Sequence, residues 1–378
     1  MLHGQLVRGW IAVRRGAQVE SPEIVIGARR LSAETEQRPE VTPGRLHRQI
    51  VGFRRFVTLE PDFGGVPWGL EIGVDGRIER GSLGIAVDMD GLATLADVKT
   101  RKFPRLEPLL RCPKMIDRVD GAVPCRGALE RSEHTLRCEQ CGATYAATPE
   151  SFNFLTDELR TASGVEDTEN VSSLGYDPLA QELIERCGDG LVLDAGSGLK
   201  RPRYENVVNL EVVAYPSTDV LATGESLPFA DGTFDGALSL AVLEHVRDPF
   251  RCAAELARVV RPGGQIYVAV PFLQPYHGYP HHYYNMTLTG LGNLFEEWFT
   301  IDRSGTPPYG WPVWTLTWFL NRYVAGLPPA AARRFKEMKV ADLLGDGSEY
   351  LSEEFVTNLS EDVVTELASM NFLTGTRR

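Results

Sequence analysis

Cysteine and long apolar runs are both scarce in this sequence. Six cysteines in 378 residues are too few for a disulfide scaffold. The longest strongly apolar patch, Trp311–Leu320, is too short to span a bilayer. Met1–Trp10 lacks the apolar segment of a secretory leader. These absences predict a cytoplasmic protein with no membrane span.

Basic residues are outnumbered as well. Lys and Arg total 39 against 51 Asp and Glu, which gives a formal net charge of -12. A protein that binds nucleic acid through its phosphates needs a positive surface, so this balance argues against a nucleic-acid partner. Residues 1–55 are the exception, with ten arginines and no lysine. We interpret them as a solvated face, with an anion-binding patch as the alternative.

Short β-rich runs separated by turn residues occupy the first part of the chain. They are Leu6–Val13, Glu23–Ile26, Gly52–Leu59, Trp68–Val74 and Ser82–Val87. Asp75-Gly76 is a hairpin signal between two of them. The pattern predicts a small all-β module, sandwich-like or barrel-like, over residues 1–100. The stretches Val7–Ala12, Arg38–Val41 and Val51–Phe53 together resemble the β modules fused to bacterial glycan-modifying enzymes.

The pattern changes to alternating helices and buried strands from about residue 176. The predicted elements are helix Pro178–Arg186, strands Leu191–Ala195, Val207–Glu211 and Gly236–Leu240, helix Pro249–Val260, and strands Gln265–Val270 and Asn371–Thr376. Such alternation indicates a doubly wound, mostly parallel α/β sheet over 176–378. Residues 105–150 hold the clustered cysteines, and 151–175 are predicted to be a linker.

A glycine-rich turn follows the first strand of this α/β region. Asp194-Ala195-Gly196-Ser197-Gly198 lies at the carboxyl edge of the predicted sheet, where ligands bind. Glu211 ends the next strand, where its carboxylate can accept ribose hydroxyl protons. A nicotinamide dinucleotide site is the rival interpretation. Its G-x-G-x-x-G/A pattern needs a third glycine, which falls on Arg201 here.

Three later blocks carry a family resemblance. They are Glu225–Asp235 (ESLPFADGTFD), Val242–Val246 (VLEHV) and Val260–Gly264 (VRPGG). In this order and spacing they resemble the type 11 group of class I S-adenosylmethionine-dependent methyltransferases. The resemblance implies a seven-stranded sheet and bound S-adenosylmethionine. The cofactor-binding residues that it implies are Asp194, Ala195, Gly196, Ser197, Gly198, Glu211, Glu225, Ser226, Leu227 and Leu240.

Several positions depart from that family's pattern or have other roles. Only Leu199–Glu205 separates the glycine turn from the second strand, so the first crossover helix is expected to be a loop. Thr223 replaces an acid in the segment 223–227, which is expected to line the adenine. Asp235 is predicted to be a strand-edge residue and Glu244 a structural carboxylate. His245 is expected to cap a helix or to touch substrate.

The cysteine cluster has the spacing of a metal site. Cys138 and Cys141 form a knuckle that can present two thiolates to one tetrahedral zinc. Cys112 and Cys125 are the expected second pair, although Met115 occupies the usual position and an insertion separates them. His134 is a spare ligand, and a metal-free relic is the alternative. The segment resembles the zinc ribbons that precede the catalytic domain of some ribosomal-RNA guanine methyltransferases.

The segment after the fifth strand is the candidate acceptor side. Residues 271–285 contain three histidines and four tyrosines, and in the family this segment passes over the methyl group. His277, His281 and His282 are therefore candidate catalytic bases, with His277 preferred because Gly278 follows it. The aromatics of Trp311–Leu320 roof the acceptor pocket or form a dimer contact, so an oligomer stays open.

The predicted activity is methyl transfer to a small polar acceptor, a saccharide or natural-product hydroxyl. The β module suggests that acceptor. RNA base methylation, suggested by the zinc ribbon, is one alternative. A non-catalytic S-adenosylmethionine-binding protein is the other.

Overall fold

The computed structural model describes residues 3–14, 17–36, 48–59, 67–83, 89–118, 121–165, 172–200, 204–278 and 281–369. Within these ranges no helix is both long and apolar enough to cross a membrane. The chain divides into two compact units. One is Met1–Leu238 with Arg258–Tyr267, and the other is Ser239–Ala257 with Val268–Arg378.

The first unit begins with two antiparallel sheets. Their strands are β1 (His3–Arg14), β2 (Glu23–Ile26), β3 (Arg29–Ser32), β4 (Glu34–Glu36), β5 (Arg48–Leu59), β6 (Trp68–Val74) and β7 (Arg77–Leu83). One sheet has the order β1-β5-β4 and the other β3-β2-β6-β7. Val13 and Val51 of the first sheet share a buried cluster with Ile72 of the second. The two sheets therefore pack face to face.

The hairpin signal is confirmed, and one predicted strand lies only partly within the described residues. Asp75 and Gly76 connect β6 to β7, and both have positive φ, at 50° and 75°, as a type I′ turn requires. The strand predicted at Ser82–Val87 overlaps β7 only at its end, because β7 starts directly after the turn. Residues 84–88 and Arg38–Val41 lie outside the described residues.

A long helix, α1 (Met89–Leu106), was not predicted and overlaps the range assigned to the all-β module. Its apolar side chains Leu95, Val98 and Leu106 are buried. Two lysines on the same helix are buried too. Lys102 pairs with Asp219 at 2.7 Å, and Lys99 donates to the Thr218 carbonyl at 2.7 Å. The helix therefore packs beside the α/β sheet through both apolar and charged contacts.

The main sheet has nine strands. Two further strands, β8 (Met115–Arg118) and β9 (Gly121–Pro124), form a separate hairpin. The sheet contains β10 (Leu129–Arg131), β11 (Thr135–Cys138), β12 (Thr144–Ala147), β13 (Phe152–Asn153), β14 (Val192–Ala195), β15 (Val207–Glu211), β16 (Val220–Leu221), β17 (Phe234–Leu240) and β18 (Val260–Ala269). Its order is β10-β11-β12-β13-β16-β15-β14-β17-β18.

The α/β prediction is confirmed, with a different strand count. Neighbouring strands from β13 through β16, β15 and β14 to β17 run parallel, whereas β10 to β13 run antiparallel. Among the described residues, five strands of this sheet belong to the α/β region (β14–β18), and four earlier strands (β10–β13) extend it to nine. The described part of the connection between β14 and β15 contains no helix, as expected.

The predicted linker contains a strand and a helix. Within 151–175, Phe152 and Asn153 form β13, and α2 (Asp157–Ser163) follows, with the Thr156 hydroxyl accepting from the Leu159 amide at its start. The next helix, α3 (Pro178–Cys187), ends at Gly188, as predicted. Residues 166–171 lie outside the described residues.

The second unit contains the rest of the helices. The 3₁₀ helix Leu243–His245 follows β17, and α4 (Pro249–Val259) leads to β18. The later helices are α5 (Leu288–Phe295), α6 (Pro312–Ala325), α7 (Pro329–Glu337), α8 (Glu354–Thr357) and α9 (Glu361–Glu366). In the described part of 270–378 there is no strand. The strand predicted at Asn371–Thr376 lies outside the described residues.

Candidate functional site

The glycine turn after β14 has a backbone that only glycine fits well. Gly196 and Gly198 have φ of 77° and 62°. A Cβ on Gly198 would lie 2.6 Å from the Ser172 carbonyl oxygen. The amides of Gly196 and Ser197 donate to the Leu210 carbonyl at 2.9 and 3.0 Å. The turn is thus tied to β15, and it is free of side chains at two positions.

Asp194, the last acid before this turn, is fully buried. Its Oδ2 accepts from the Tyr176 hydroxyl at 2.7 Å and lies 3.4 Å from the Lys200 Nζ. Its Oδ1 has no hydrogen-bond partner among the described residues. Burial raises the pKa of Asp194, and the Lys200 ammonium opposes that shift. Tyr176 and Lys200 were not identified from the sequence, because neither belongs to a motif.

Glu211, at the end of β15, faces the same turn. Its Oε2 accepts from the Gly198 amide and its Oε1 from the Val212 amide, each at 2.7 Å. Burial raises the pKa of Glu211, and the two amide hydrogen bonds lower it. The Val213 backbone also hydrogen-bonds the carboxylate, so of its roughly four acceptor positions about one is left for a further donor. The structure therefore brings Glu211 and the glycine turn together, as the sequence predicted.

The segment expected to line the adenine is mostly buried. The Thr223 hydroxyl is buried without a hydrogen-bond partner among the described residues. Leu227, at the other end of the segment, is buried as well. Ser226 donates its hydroxyl to the Pro113 carbonyl at 2.8 Å. Glu225 is half-buried, and Leu240 is buried at the end of β17. The Ser226 side chain thus already has a partner in the cysteine segment.

The four clustered cysteines lie together. All four sulfurs are within 4.8 Å of one another, with Cys112 and Cys141 at 3.5 Å and Cys125 and Cys138 at 3.7 Å. Four thiolates at about 2.3 Å from one tetrahedral zinc would be about 3.8 Å apart. The donor set and its size therefore suit zinc. His134 is exposed beside Glu133 and is absent from this cluster, so its suggested role as a spare ligand is wrong.

The insertion between Cys112 and Cys125 is folded as the β8–β9 hairpin. Met115 pairs with Pro124 across it, and the Cys125 amide donates to the Lys114 carbonyl at 2.7 Å. The two ends of the insertion are therefore adjacent. This hairpin removes the loop-closure penalty that the long spacing suggested.

The second unit brings a carboxylate and several histidines together. The Glu244 carboxylate is fully buried, and burial raises its pKa to about 8. Neither of its oxygens has a hydrogen-bond partner among the described residues, so its predicted role as a structural carboxylate stays a prediction. The His245 Nε2 lies 3.8 Å from Glu244 Oε1, and burial lowers the pKa of His245 to about 4. His245 Nδ1 bonds the His281 carbonyl instead of capping a helix.

The loop that follows β18 holds the predicted bases. His277 Nδ1 lies 2.9 Å from the Pro275 carbonyl, and its ring centroid is 4.4 Å from that of His282. Both His282 nitrogens are hydrogen-bonded, one to the His277 amide and one to Asn285. The His281 ring lies 5.3 Å from that of Tyr283. His277 and His282 are thus in contact.

The central part of the chain is similar to known methyltransferases. Residues 187–268 match the Methyltransf_11 family model, described as a methyltransferase domain. An uncharacterized methyltransferase of Mycobacterium sp. (strain JLS) is 60% identical over 45 residues, which are 12% of this chain and 18% of that protein. One from Mycobacteroides abscessus is 35% identical over 118 residues, 31% of this chain and 40% of that protein. The chain thus spans less than half the length of these relatives.

Two solved structures are similar over part of the chain. A Thermotoga maritima SAM-dependent methyltransferase, described as a possible histamine N-methyltransferase, is 21% identical over 31% of this chain and 66% of its own, with a TM-score of 0.26. Haemonchus contortus phosphoethanolamine N-methyltransferase 2, solved with S-adenosyl-L-methionine, is 15% identical over 48% of each chain, with a TM-score of 0.28. The family match over 187–268 lies within the range 176–378 that was predicted to be a methyltransferase domain, and it agrees with the resemblance found in the sequence.

Proposed function

We propose that the chain transfers a methyl group from S-adenosylmethionine to a small polar acceptor. The observation that carries the proposal is the glycine turn at 196–198, whose Gly198 amide is bound by the buried Glu211 carboxylate. In this pair an acceptor of hydroxyl protons lies beside a turn that has no side chain at Gly196 and Gly198. The methyltransferase family match over 187–268 supports the same cofactor.

The residues around the turn fit that cofactor. Gly196 and Gly198 would leave room for its methionine and ribose end, and Glu211 would accept from a ribose hydroxyl with its remaining acceptor position. The buried Asp194 Oδ1 and Thr223 hydroxyl lack partners among the described residues. Buried polar atoms without partners are rare in folded proteins, so they favour a polar ligand there. Ala195, Ser197, Glu225, Ser226, Leu227 and Leu240 complete the proposed cofactor-binding set.

The chemistry required of the chain is modest. S-adenosylmethionine, when bound, supplies an already activated methyl group. The protein must align the acceptor with that group and remove a proton if the acceptor is a hydroxyl. For that proton we propose His277 over His281 and His282. The Pro275 carbonyl can only accept, so the His277 Nδ1 carries the hydrogen and its Nε2 is the basic nitrogen.

For the acceptor we propose a saccharide or natural-product hydroxyl, on the strength of the N-terminal β module. RNA base methylation is the alternative, and the net charge of -12 opposes it. A protein that binds the cofactor without turnover is a third case.

We further propose one structural zinc on the four cysteines, because their donor set and spacing suit it. A cytoplasmic location, as predicted from the sequence, belongs to the same proposal.

Mass spectrometry of ligands that co-purify with the protein tests the cofactor. We expect S-adenosylmethionine or S-adenosylhomocysteine, and a bound nicotinamide dinucleotide would overturn the proposal. Titration calorimetry of two variants sharpens the test. Gly198→Ala should abolish measurable binding, since its Cβ would meet the Ser172 carbonyl at positive φ. Gly175→Ala is the matched control, because a Cβ there has nothing within 4 Å.

A further inference from the structure

We propose that Glu244, His245 and His277 bind one divalent first-row transition-metal ion, through one carboxylate oxygen and the two histidine Nε2 atoms. All three residues belong to the second compact unit. The inference goes beyond the proposed methyl transfer and does not depend on it. It is also separate from the cysteine cluster, which lies in the first unit.

The candidate ligand atoms of the three residues lie close together. One ligand atom from each lies within 4.8 Å of those of the other two, and His245 Nε2 is 3.8 Å from Glu244 Oε1. Ligand bonds of about 2.0–2.2 Å need separations of about 3–3.5 Å, which small side-chain rotations supply. Glu244 and His245 are held in place by the 3₁₀ helix Leu243–His245.

The histidine tautomers also fit metal binding. His245 Nδ1 lies 2.7 Å from the His281 carbonyl, and His277 Nδ1 lies 2.9 Å from the Pro275 carbonyl. Because a carbonyl oxygen accepts only, each Nδ1 carries the hydrogen and each Nε2 keeps its lone pair. Metal-ligating histidines commonly donate their other N–H to a carbonyl, which fixes the ring and raises ligand basicity. Both rings have that arrangement.

The environment of the Glu244 carboxylate supports a metal site independently of the histidines. Glu244 has no exposed surface, and neither of its oxygens has a hydrogen-bond partner among the described residues. A buried carboxylate without partners is strongly destabilising, so such groups are usually paired or bound to a metal. The backbone around Glu244 is well anchored, since its carbonyl accepts from the amides of Tyr283 and Tyr284. The unpaired carboxylate is therefore held in position rather than turned towards solvent.

The donor set selects the metal class. Two imidazoles and one carboxylate are the ligands of catalytic zinc and of non-haem iron sites, whereas magnesium and calcium prefer oxygen donors. Three protein ligands leave positions open for water or for an oxygen of a small molecule. A hydroxyl bound there would lose its proton more readily. When the metal is bound, it occupies the Nε2 lone pair of His277. His277 then cannot also accept the hydroxyl proton as the proposed base.

Cobalt(II) is the probe, measured by equilibrium dialysis and elemental analysis of the full chain. Wild type should bind one more Co²⁺ per chain than either Glu244→Gln or His277→Ala. Co²⁺ that enters the cysteine cluster cancels in this difference. His281→Ala is the matched control. It removes a neighbouring imidazole but keeps the carbonyl that holds His245, and it should bind as much Co²⁺ as wild type.

Tryptophan fluorescence gives a second readout. The Trp318 ring lies 5.2 Å from the His277 ring, so Co²⁺ at the proposed site should quench it. Trp318→Phe should remove that quenching and leave the Co²⁺ stoichiometry unchanged. Thermal denaturation monitored by circular dichroism establishes that each variant is folded. Equal Co²⁺ content in wild type and in folded His277→Ala would overturn the proposal, and so would loss of the ion from His281→Ala.

Discussion

The Ser226 hydroxyl donates a buried hydrogen bond of 2.8 Å to the carbonyl of Pro113, 113 residues earlier in the chain. Pro113 directly follows the first clustered cysteine, and Ser226 lies in the segment expected to line the adenine. Two backbone hydrogen bonds run alongside, from Arg111 to the Pro228 carbonyl and from Ala230 to the Leu109 carbonyl. The cysteine cluster is therefore mechanically connected to the proposed cofactor site.

Metal content tests the proposed zinc site on the four clustered cysteines. We expect one tightly bound zinc per chain, lost in Cys138→Ser and kept in Cys187→Ser, which changes a cysteine outside the cluster. Chelation should increase hydrogen exchange over residues 109–145, because ligand binding and local folding are coupled. Elemental analysis of protein purified without chelator measures the content. A value near zero would make the segment a metal-free relic.

Removing the Ser226 hydroxyl tests how much its hydrogen bond to the Pro113 carbonyl contributes to stability. Ser226→Ala leaves the Pro113 carbonyl buried without its donor, so we expect a loss of about 1–3 kcal/mol in the free energy of unfolding. Denaturant titration measures it. Ser132→Ala, which removes an exposed hydroxyl, should lie within about 0.5 kcal/mol of wild type. A small effect of Ser226→Ala would mean that the backbone hydrogen bonds suffice.

Glu211→Ala should weaken S-adenosylmethionine binding by about 1.5–3 kcal/mol, the usual range for hydrogen bonds to a charged group. Glu211 also accepts from the Gly198 and Val212 amides, so Glu211→Gln, which keeps one acceptor oxygen, should lose less. Titration calorimetry compares both with Glu205→Ala, an acid paired with the exposed Arg101. Unchanged affinity in Glu211→Ala would place the ribose elsewhere.

The elements that could be predicted are those whose sequence patterns are contiguous in the chain. Strands Glu23–Ile26, Trp68–Val74 and Val207–Glu211 were predicted with the bounds that the structure has, since their apolar patterns and turn residues are contiguous. The glycine turn at 196–198 was predictable for the same reason. Its glycines and Glu211 follow two strands that end at one edge of the sheet.

What escaped prediction depends on long-range contacts. Helix α1 was missed because Lys99 and Lys102 interrupt its apolar face. Their burial is explained only by partners far along the chain, which are the carbonyls of Glu150 and Thr218 and the carboxylate of Asp219. The lack of a partner for Glu244 could not be foreseen either. Only the fold shows which polar atoms are left without partners.

Breaking the buried Lys102–Asp219 pair should be strongly destabilising. The pair is 2.7 Å long, and its side chains are 2% and 0% exposed. Lys102→Met leaves a buried carboxylate unpaired, so the free energy of unfolding should fall by about 3–5 kcal/mol. Lys102→Met combined with Asp219→Asn should recover part of that loss. Arg101→Met is the matched control on the same helix, because its pair with Glu205 is exposed and is worth at most about 1 kcal/mol.

Lys99 should make stability depend on alkaline pH. Burial lowers its pKa to about 8, while the Asp219 carboxylate opposes the shift. The unfolded lysine titrates near pH 10.4, so between about pH 8 and 10.4 the unfolded chain binds the proton that the folded chain has released. The free energy of unfolding therefore rises with pH in this window, by at most about 1.4 kcal/mol per pH unit. Below about pH 8 both states are protonated and the contribution is constant.

The measurement is the difference in free energy of unfolding between wild type and Lys99→Met at several pH values. That difference should grow in favour of wild type by on the order of 2 kcal/mol between about pH 7.5 and 10.5. Lys114→Met, which changes an exposed lysine of the same unit, should follow wild type at every pH. A flat difference for Lys99→Met would mean that the carbonyls of Glu150 and Thr218, with Asp219 nearby, keep the buried ammonium protonated.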